Sequence, residues 1–114
     1  MTDGLRRGLA RLVAGDHFEA HEAFELCWRV AVPAERDFFQ GLVHVAVAWY
    51  QAGRGRQVGC GRQLEKAARR LGPYSPCHRG LDVAWLLAQV EAARATWAAG
   101  SLALSPLRAP GIRT

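Results

Sequence analysis

Residues 33–53 read PAERDFFQGLVHVAVAWYQAG, and they give the strongest indication of the fold. They predict a helix with apolar side chains on nearly every face, and a helix of that kind belongs at the centre of a molecule. Pro33 suits a first helical turn, and the Gly-Arg-Gly-Arg run at 53–56 ends the pattern. The polar exceptions fall on a single stripe of this helix: Asp37, Gln40, His44 and Gln51.

Four further segments have helical spacing and are bounded by breaker residues. They lie at about residues 3–15, 16–30, 57–71 and 83–99. With the central helix they predict an all-α, single-domain bundle of about five helices over residues 1–100. Residues 101–114 contain Pro106 and Pro110 and are predicted to be an extended or flexible C-terminal tail.

Two aspartates are predicted to begin helices. Asp16 precedes the second helix, and Glu19 follows at the spacing of a capping box, in which the two side chains cap each other's backbone amides. Asp82 precedes the fifth helix and is predicted to be its N-cap. The intervening residues 72–81, rich in proline and glycine, predict a structured loop, and no strand pattern competes with the helices.

Length and composition fit one cytoplasmic domain. Half of the 114 residues are hydrophobic and 22% are charged, as in globular proteins. The longest apolar run, residues 41–50, is too short to cross a bilayer, and the N-terminus lacks a signal core, so no membrane partner is expected. Cys27, Cys60 and Cys77 form no Cys-x-x-Cys pair, which fits a reducing compartment.

The second helix carries polar and apolar groups on one face. At about 100° per residue, six side chains fall within an arc of about 120°: His17, Phe18, His21, Phe24, Glu25 and Trp28. His21 and Glu25 stand where a simple core would have leucine. A carboxylate among aromatic rings must be paired, hydrogen-bonded or protonated.

Three interpretations of this cluster remain open. It is a structural network that fixes the register of the bundle, a metal site, or a metal-free site for ligand binding or acid/base chemistry. The candidate residues are His17, His21, Glu22 and Glu25, together with Gln40 and His44 of the third helix, which are expected to face them. The spacing matches neither the zincin nor the di-iron pattern, so no metal is assigned and the cofactor stays unknown.

A basic face on the fourth helix supports an alternative function. Residues 54–114 carry ten basic and three acidic side chains, whereas residues 1–53 carry five and seven. The candidate anion surface comprises Arg54, Arg56, Arg62, Lys66, Arg69 and Arg70. It predicts an adaptor for nucleic acid or protein, although a basic outer face is usually only solvated and no nucleic-acid-binding motif accompanies it.

Trp85 lies off the apolar stripe of the fifth helix. An uncovered tryptophan would favour a homodimer, so Trp85 is the candidate dimer contact.

Three blocks of sequence resemble the family known as domain of unknown function 309. They are Phe18-Glu19-Ala20-His21-Glu22 with Glu25 and Trp28, then Phe39-Gln40-Gly41-Leu42-Val43 with Ala46 and Ala48, then Gly80-Leu81-Asp82. The resemblance implies a bundle of about five helices in soluble intracellular proteins with no established activity. Its structural motif residues would be Glu19, Trp28, Gly41 and Asp82.

The position of Gly41 within the third helix also has a physical interpretation. A glycine within a helix costs about 1 kcal/mol relative to alanine, so a neighbouring group is expected to press against the backbone there. The ring of Trp28 is the candidate for that group.

Overall fold

A computed structural model describes residues 1–109, and this part of the chain contains five α-helices. Their bounds are Asp3–Val13 (α1), His17–Val30 (α2), Pro33–Gly53 (α3), Gln57–Leu71 (α4) and Val83–Ala98 (α5). The predicted all-α bundle is therefore confirmed. Among the described residues, no helix combines the length and the apolar character needed to cross a bilayer.

α3 is the central helix, as its apolar character predicted. It packs most extensively against α4 and α2, while α1 lies against α2 and α5 against α4. Seven of its apolar side chains are buried: Phe38, Phe39, Leu42, Val45, Ala46, Ala48 and Trp49. Burying a large apolar side chain contributes about 1.5–3 kcal/mol, so this helix supplies much of the stability of the core.

Gly8 and Gly41 are two of the glycines at which helices approach closely. A Cβ atom at Gly8 of α1 would overlap the ring of Phe24, and a Cβ atom at Gly41 of α3 would lie 2.6 Å from Cγ of Leu71. The expectation that a neighbour presses on Gly41 is thus confirmed, but the choice of Trp28 was wrong. The neighbour is Leu71 of α4, because the face of α3 that carries Gly41 is turned toward α4.

The two predicted caps have different outcomes. Asp82 is the N-cap of α5, and its Oδ1 accepts a hydrogen bond from the backbone N–H of Trp85 at 3.0 Å. Asp16 occupies the N-cap position of α2, but its side chain makes no capping bond. The capping-box prediction was wrong because the Asp16 N–H, which Glu19 would have to bond, donates to the Arg11 carbonyl at 2.9 Å.

The segment between α4 and α5 contains a hairpin that the sequence did not predict. A 3₁₀ turn, Gly72–Tyr74, leads into the antiparallel strands β1 (Cys77–His78) and β2 (Leu81–Asp82). The two residues of the turn, Arg79 and Gly80, both have positive φ angles, of 51° and 80°, as tight hairpin turns require. Strands of two residues are too short to produce a detectable alternation of apolar and polar side chains.

Residues 101–109 lie along the bundle without helix or strand. The Trp49 indole donates to the Ser105 carbonyl at 3.0 Å, and the Trp85 indole donates to the Ala109 carbonyl at 3.1 Å. Leu107 is buried. Trp85, the candidate dimer contact, is therefore half-buried against its own chain. The part of the tail prediction that concerns residues 110–114 lies outside the described residues.

Candidate functional site

His21 and Glu25 form a polar pair on α2. The Nε2 atom of His21 is 3.1 Å from Oε2 of Glu25, and Nη2 of Arg29 is 3.2 Å from Oε1 of the same carboxylate. The three residues follow one another at intervals of four in the sequence, so they stack along one face of the helix. The side chains of His21 and Glu25 are 27% and 35% exposed, which leaves both groups within reach of solvent.

A cleft of about 200 Å³ adjoins this pair and separates α2 from the C-terminal half of α3. It is lined by Phe18, His21, Val47, Tyr50 and Gln51. The Phe18 ring lies 5.8 Å from the His21 ring and 5.9 Å from the Tyr50 ring, centroid to centroid. The walls are mainly apolar, and the imidazole is the titratable group on the α2 side.

The pairing leaves one nitrogen of the imidazole free to act on a ligand. When neutral His21 carries its proton on Nε2, the atom that lies beside the Glu25 carboxylate, the lone pair is on Nδ1. The Glu25 carboxylate approaches Nε2 and not Nδ1. An imidazole held by a carboxylate and open on its other nitrogen can accept a proton or a hydrogen bond.

The other two predicted residues of α2 lie beside this pair. Glu22 is exposed and shares a depression of about 130 Å³ with Glu25 and Arg29 on the far side of the carboxylate. His17 is half-buried one turn earlier, and burial lowers the pKa of its imidazole.

His44 and Gln40 were expected to face the α2 cluster, but the polar stripe of α3 contacts α4 at His44 and Asp37. Nδ1 of His44 lies 2.6 Å from Oε1 of Gln63, and only 8% of His44 is exposed. At the start of the stripe, Oδ1 of Asp37 accepts from Arg70 at 2.6 Å. Gln40 is half-buried on the same stripe. The structure therefore brings His21 and Glu25 together and pairs His44 with α4.

The imidazole of His44 is held in its neutral form. Burial lowers its pKa, and the positive charges of Arg70, Lys66 and Arg69 lower it further, although the hydrogen bond to Gln63 opposes this. Its Nε2 atom is buried and has no partner among the described residues.

The structure does not assemble the donors of the metal interpretation. Within residues 1–109, no group of three or more His, Cys, Asp or Glu side chains is arranged to hold a metal ion. His21 and Glu25 meet, but no third donor joins them.

The candidate anion surface is divided among several local contacts. Arg70 pairs with Asp37, and Nε of Arg69 is 3.8 Å from Oε1 of Glu65. The Arg54 guanidinium lies 5.6 Å from the centre of the Tyr50 ring, and Arg56 donates to Gln51 at 3.4 Å. The remaining two members, Arg62 and Lys66, are exposed and half-buried, respectively.

The two other motif residues of the first block differ in their surroundings. Trp28 is half-buried against the core, and the Arg36 guanidinium lies 5.1 Å from the centre of its ring. Glu19 is exposed.

Sequence reasoning missed an ion-pair cluster that fastens the hairpin to α3. The Glu35 carboxylate accepts from Nε2 of His78, at 2.8 Å for Oε1, and from Nε of Arg79. These hydrogen bonds hold the pKa of Glu35 below its usual range. The His78 ring packs against two aromatic rings, with centroid distances of 4.7 Å to Phe38 and 4.8 Å to Tyr74. The Arg-Gly turn at 79–80 was the available sequence signal.

The fold and the site define a small all-helical protein with a polar pair beside an aromatic cleft. Residues 5–62 match a family model described as Domain of unknown function (DUF309), and this match covers about half of the chain. The chain belongs to that family, as the first two sequence blocks indicated, whereas the third block lies beyond the matched range. Neither a curated protein nor a solved structure matches the chain.

Proposed function

We propose that the chain is a cytoplasmic protein that binds a small organic molecule in the cleft between α2 and α3. The observation that carries the proposal is the double role of His21, which is paired with Glu25 and also lines the apolar cleft. Polar groups placed at the edge of an apolar concavity are typical of ligand sites. All three cysteines are free, which supports a reducing compartment.

The shape and chemistry of the cleft indicate the kind of ligand. A volume of about 200 Å³ is below the range of most drug-sized sites, so the cleft suits one ring or a short alkyl group. Phe18 and Tyr50 offer aromatic surface to that group. Nδ1 of His21 accepts a hydrogen bond from a hydroxyl or amine on the ligand, and Glu25 orients the ring and stabilises its charged form if a proton is taken.

Phenol is the simplest probe of this proposal because it combines one ring with one hydroxyl. We expect it to bind with a Kd of about 1 mM, as suits so small a ligand. Binding is measured by the chemical shifts of the ring protons of Phe18 and Tyr50 in a two-dimensional NMR titration. Benzene should bind more weakly, because it cannot donate to His21.

Variants on one helix separate the site from a general effect on α2. His21→Ala should weaken phenol binding about fivefold or more, which corresponds to a lost hydrogen bond. His17→Ala is the matched control, since His17 lies one turn earlier on α2 and does not line the cleft. Equal affinity of the wild type and His21→Ala for phenol would contradict the proposal, as would saturating phenol that leaves Phe18 and Tyr50 unshifted.

The adaptor function stays an untested alternative. Arg70 and Arg69 of the candidate anion surface have acidic partners on the chain itself, so no contact specifically favours a polyanion over solvent.

A further inference from the structure

A second cavity, of about 430 Å³, lies at the other end of α2 and shares no lining residue with the cleft. α1, α2, the turn before α3, Phe39 and Arg79 of the hairpin surround it. Its volume falls within the range of small-molecule sites, about 300–1,000 Å³. We name it the α1–α2 cavity.

The charged side chains that line this cavity are both cationic. Arg7 enters from α1 and Arg79 from the hairpin, and no carboxylate is among the described residues of the lining. Arg79 is held in place, because its Nε donates to Glu35 and its guanidinium lies 5.4 Å from the centre of the Phe39 ring. A guanidinium that is already fixed suits an anion, since less side-chain entropy is lost on binding.

The remaining surface of the cavity is mainly apolar, and part of it faces water. Leu26, Val30 and Val32 are 59%, 85% and 61% exposed, respectively, and all three line the cavity. Three large aliphatic side chains exposed together beside a concavity are typical of a surface that a ligand covers. Their aliphatic character matches an alkyl chain.

We propose that the α1–α2 cavity binds an aliphatic carboxylate of the fatty-acid class. The carboxylate lies between Arg7 and Arg79, and the alkyl chain covers Leu26, Val30 and Val32. Arg79 already pairs with Glu35 behind the lining, so the inference rests on the charge of Arg7, on the fixed guanidinium of Arg79 as a further hydrogen-bond donor and on the exposed aliphatic wall. It does not depend on the proposed function of the cleft.

Cys27 gives a direct readout of occupancy. It lines the cavity, and a Cβ atom on Gly4 would lie 2.9 Å from its Sγ. Burial raises the pKa of this thiol, while Arg79 and Arg7 oppose that rise, so both guanidinium groups act on the sulfur. A bound alkyl chain would cover the thiol and slow its alkylation.

The experiment measures alkylation of Cys27 by iodoacetamide, a neutral reagent, in a Cys77→Ser background. Cys77 is exposed and would react, whereas Cys60 is fully buried. Octanoate at about ten times its Kd should slow alkylation about tenfold, because only the empty fraction reacts. 1-Octanol at the same concentration has the same chain without the charge and should slow it less than about twofold.

Charge variants test the carboxylate contact. Arg7→Glu should lower octanoate affinity about tenfold or more, whereas Arg6→Glu, a neighbour that does not line the cavity, should leave it unchanged. Leu26→Asp introduces a negative charge at an exposed site and should act like Arg7→Glu. Val58→Asp is its matched control on α4. If circular dichroism shows Arg7→Glu to be unfolded, the pair Leu26→Asp and Val58→Asp decides.

Three results would overturn the proposal. The first is the absence of protection by octanoate, and the second is equal protection by 1-octanol, which would leave only an apolar crevice. The third is protection that grows with protein concentration in the absence of octanoate, which would make a second copy of the chain the occupant.

Discussion

Two histidines of the bundle, His44 and His21, show how one residue type takes two roles. His44 is buried, and its partner, Gln63, comes from another helix 19 residues away. His21 is partly exposed, and its partner, Glu25, is one turn away on the same helix. The first contact joins two elements of the core, whereas the second leaves a paired imidazole at the edge of a cleft. Burial and the origin of the partner therefore separate a structural histidine from a functional candidate.

Truncating each histidine should produce the largest contrast. His44→Ala removes a buried ring and leaves Gln63 without its partner, so it should lower the free energy of unfolding by about 2–4 kcal/mol. His21→Ala should lower it by less than about 1 kcal/mol, because exposed pairs within a helix contribute little. Urea denaturation followed by circular dichroism measures both values. Similar losses of unfolding free energy in the two variants would contradict the distinction between a structural His44 and a functional His21.

A third histidine, His78, extends the comparison to the hairpin. Glu35→Ala removes the acceptor of both His78 and Arg79, and it should cost about 1–2 kcal/mol, between the values for His44 and His21. The measurement is again urea denaturation, with Glu22→Ala as an exposed control on α2. A Glu35→Ala variant as stable as the wild type would mean that the cluster does not fasten the hairpin.

The pH dependence of stability should also distinguish His44. Its folded-state pKa is lowered below the ordinary value of 6.5, so the unfolded chain takes up the proton first as the pH falls. The stabilising contribution is complete above about pH 6.5 and is lost as the pH falls toward the folded-state pKa. The free energy of unfolding should therefore decrease from about pH 7 to about pH 5.

The matching variant is His44→Gln, which should show a weaker decrease over the same pH range. His17 contributes in the same direction, because burial lowers its pKa as well, so His17→Gln is measured in parallel. An unchanged pH profile in His44→Gln would contradict the assignment of a neutral buried imidazole.

The smallest effect is expected at the candidate anion surface. If the adaptor function holds, replacing Arg62 and Arg69 by alanine should lower the salt concentration at which the protein elutes from a heparin column. The reason is that two cationic contacts to the polyanion are lost. The control variant is Arg94→Ala, because Arg94 pairs with Glu91 on α5 and lies outside the candidate anion surface. If retention on heparin does not depend on salt, or if the double variant elutes at the same salt concentration as the wild type, the adaptor function is contradicted.

Helical periodicity predicted the elements well but not their neighbours. The bounds of α2, α3 and α4 agree with the structure to within one or two residues, since each helix has its own apolar period and breakers. The polar stripe of α3 was also visible in the sequence. The sequence did not show which helix the stripe faces, because periodicity fixes which residues share a face and leaves open which helix covers that face.

The same limit explains the errors at the site. His44 was expected near His21, and the ring of Trp28 was expected against Gly41. Both faces instead meet α4, at Gln63 and Leu71. The pair of His21 with Glu25 was predictable because it is local, at a spacing of four residues. The Glu35 cluster joins residues more than 40 apart and left no such pattern.

A single NMR titration with phenol, followed through the imidazole resonances of His21 and His44, tests whether the α2–α3 cleft binds a ligand. The His21 resonances should shift progressively to saturation, with the largest change at Nδ1, while those of His44 should stay constant. Constant His21 resonances at saturating phenol, or equal shifts at both histidines, would contradict the claim that the α2–α3 cleft is a ligand site.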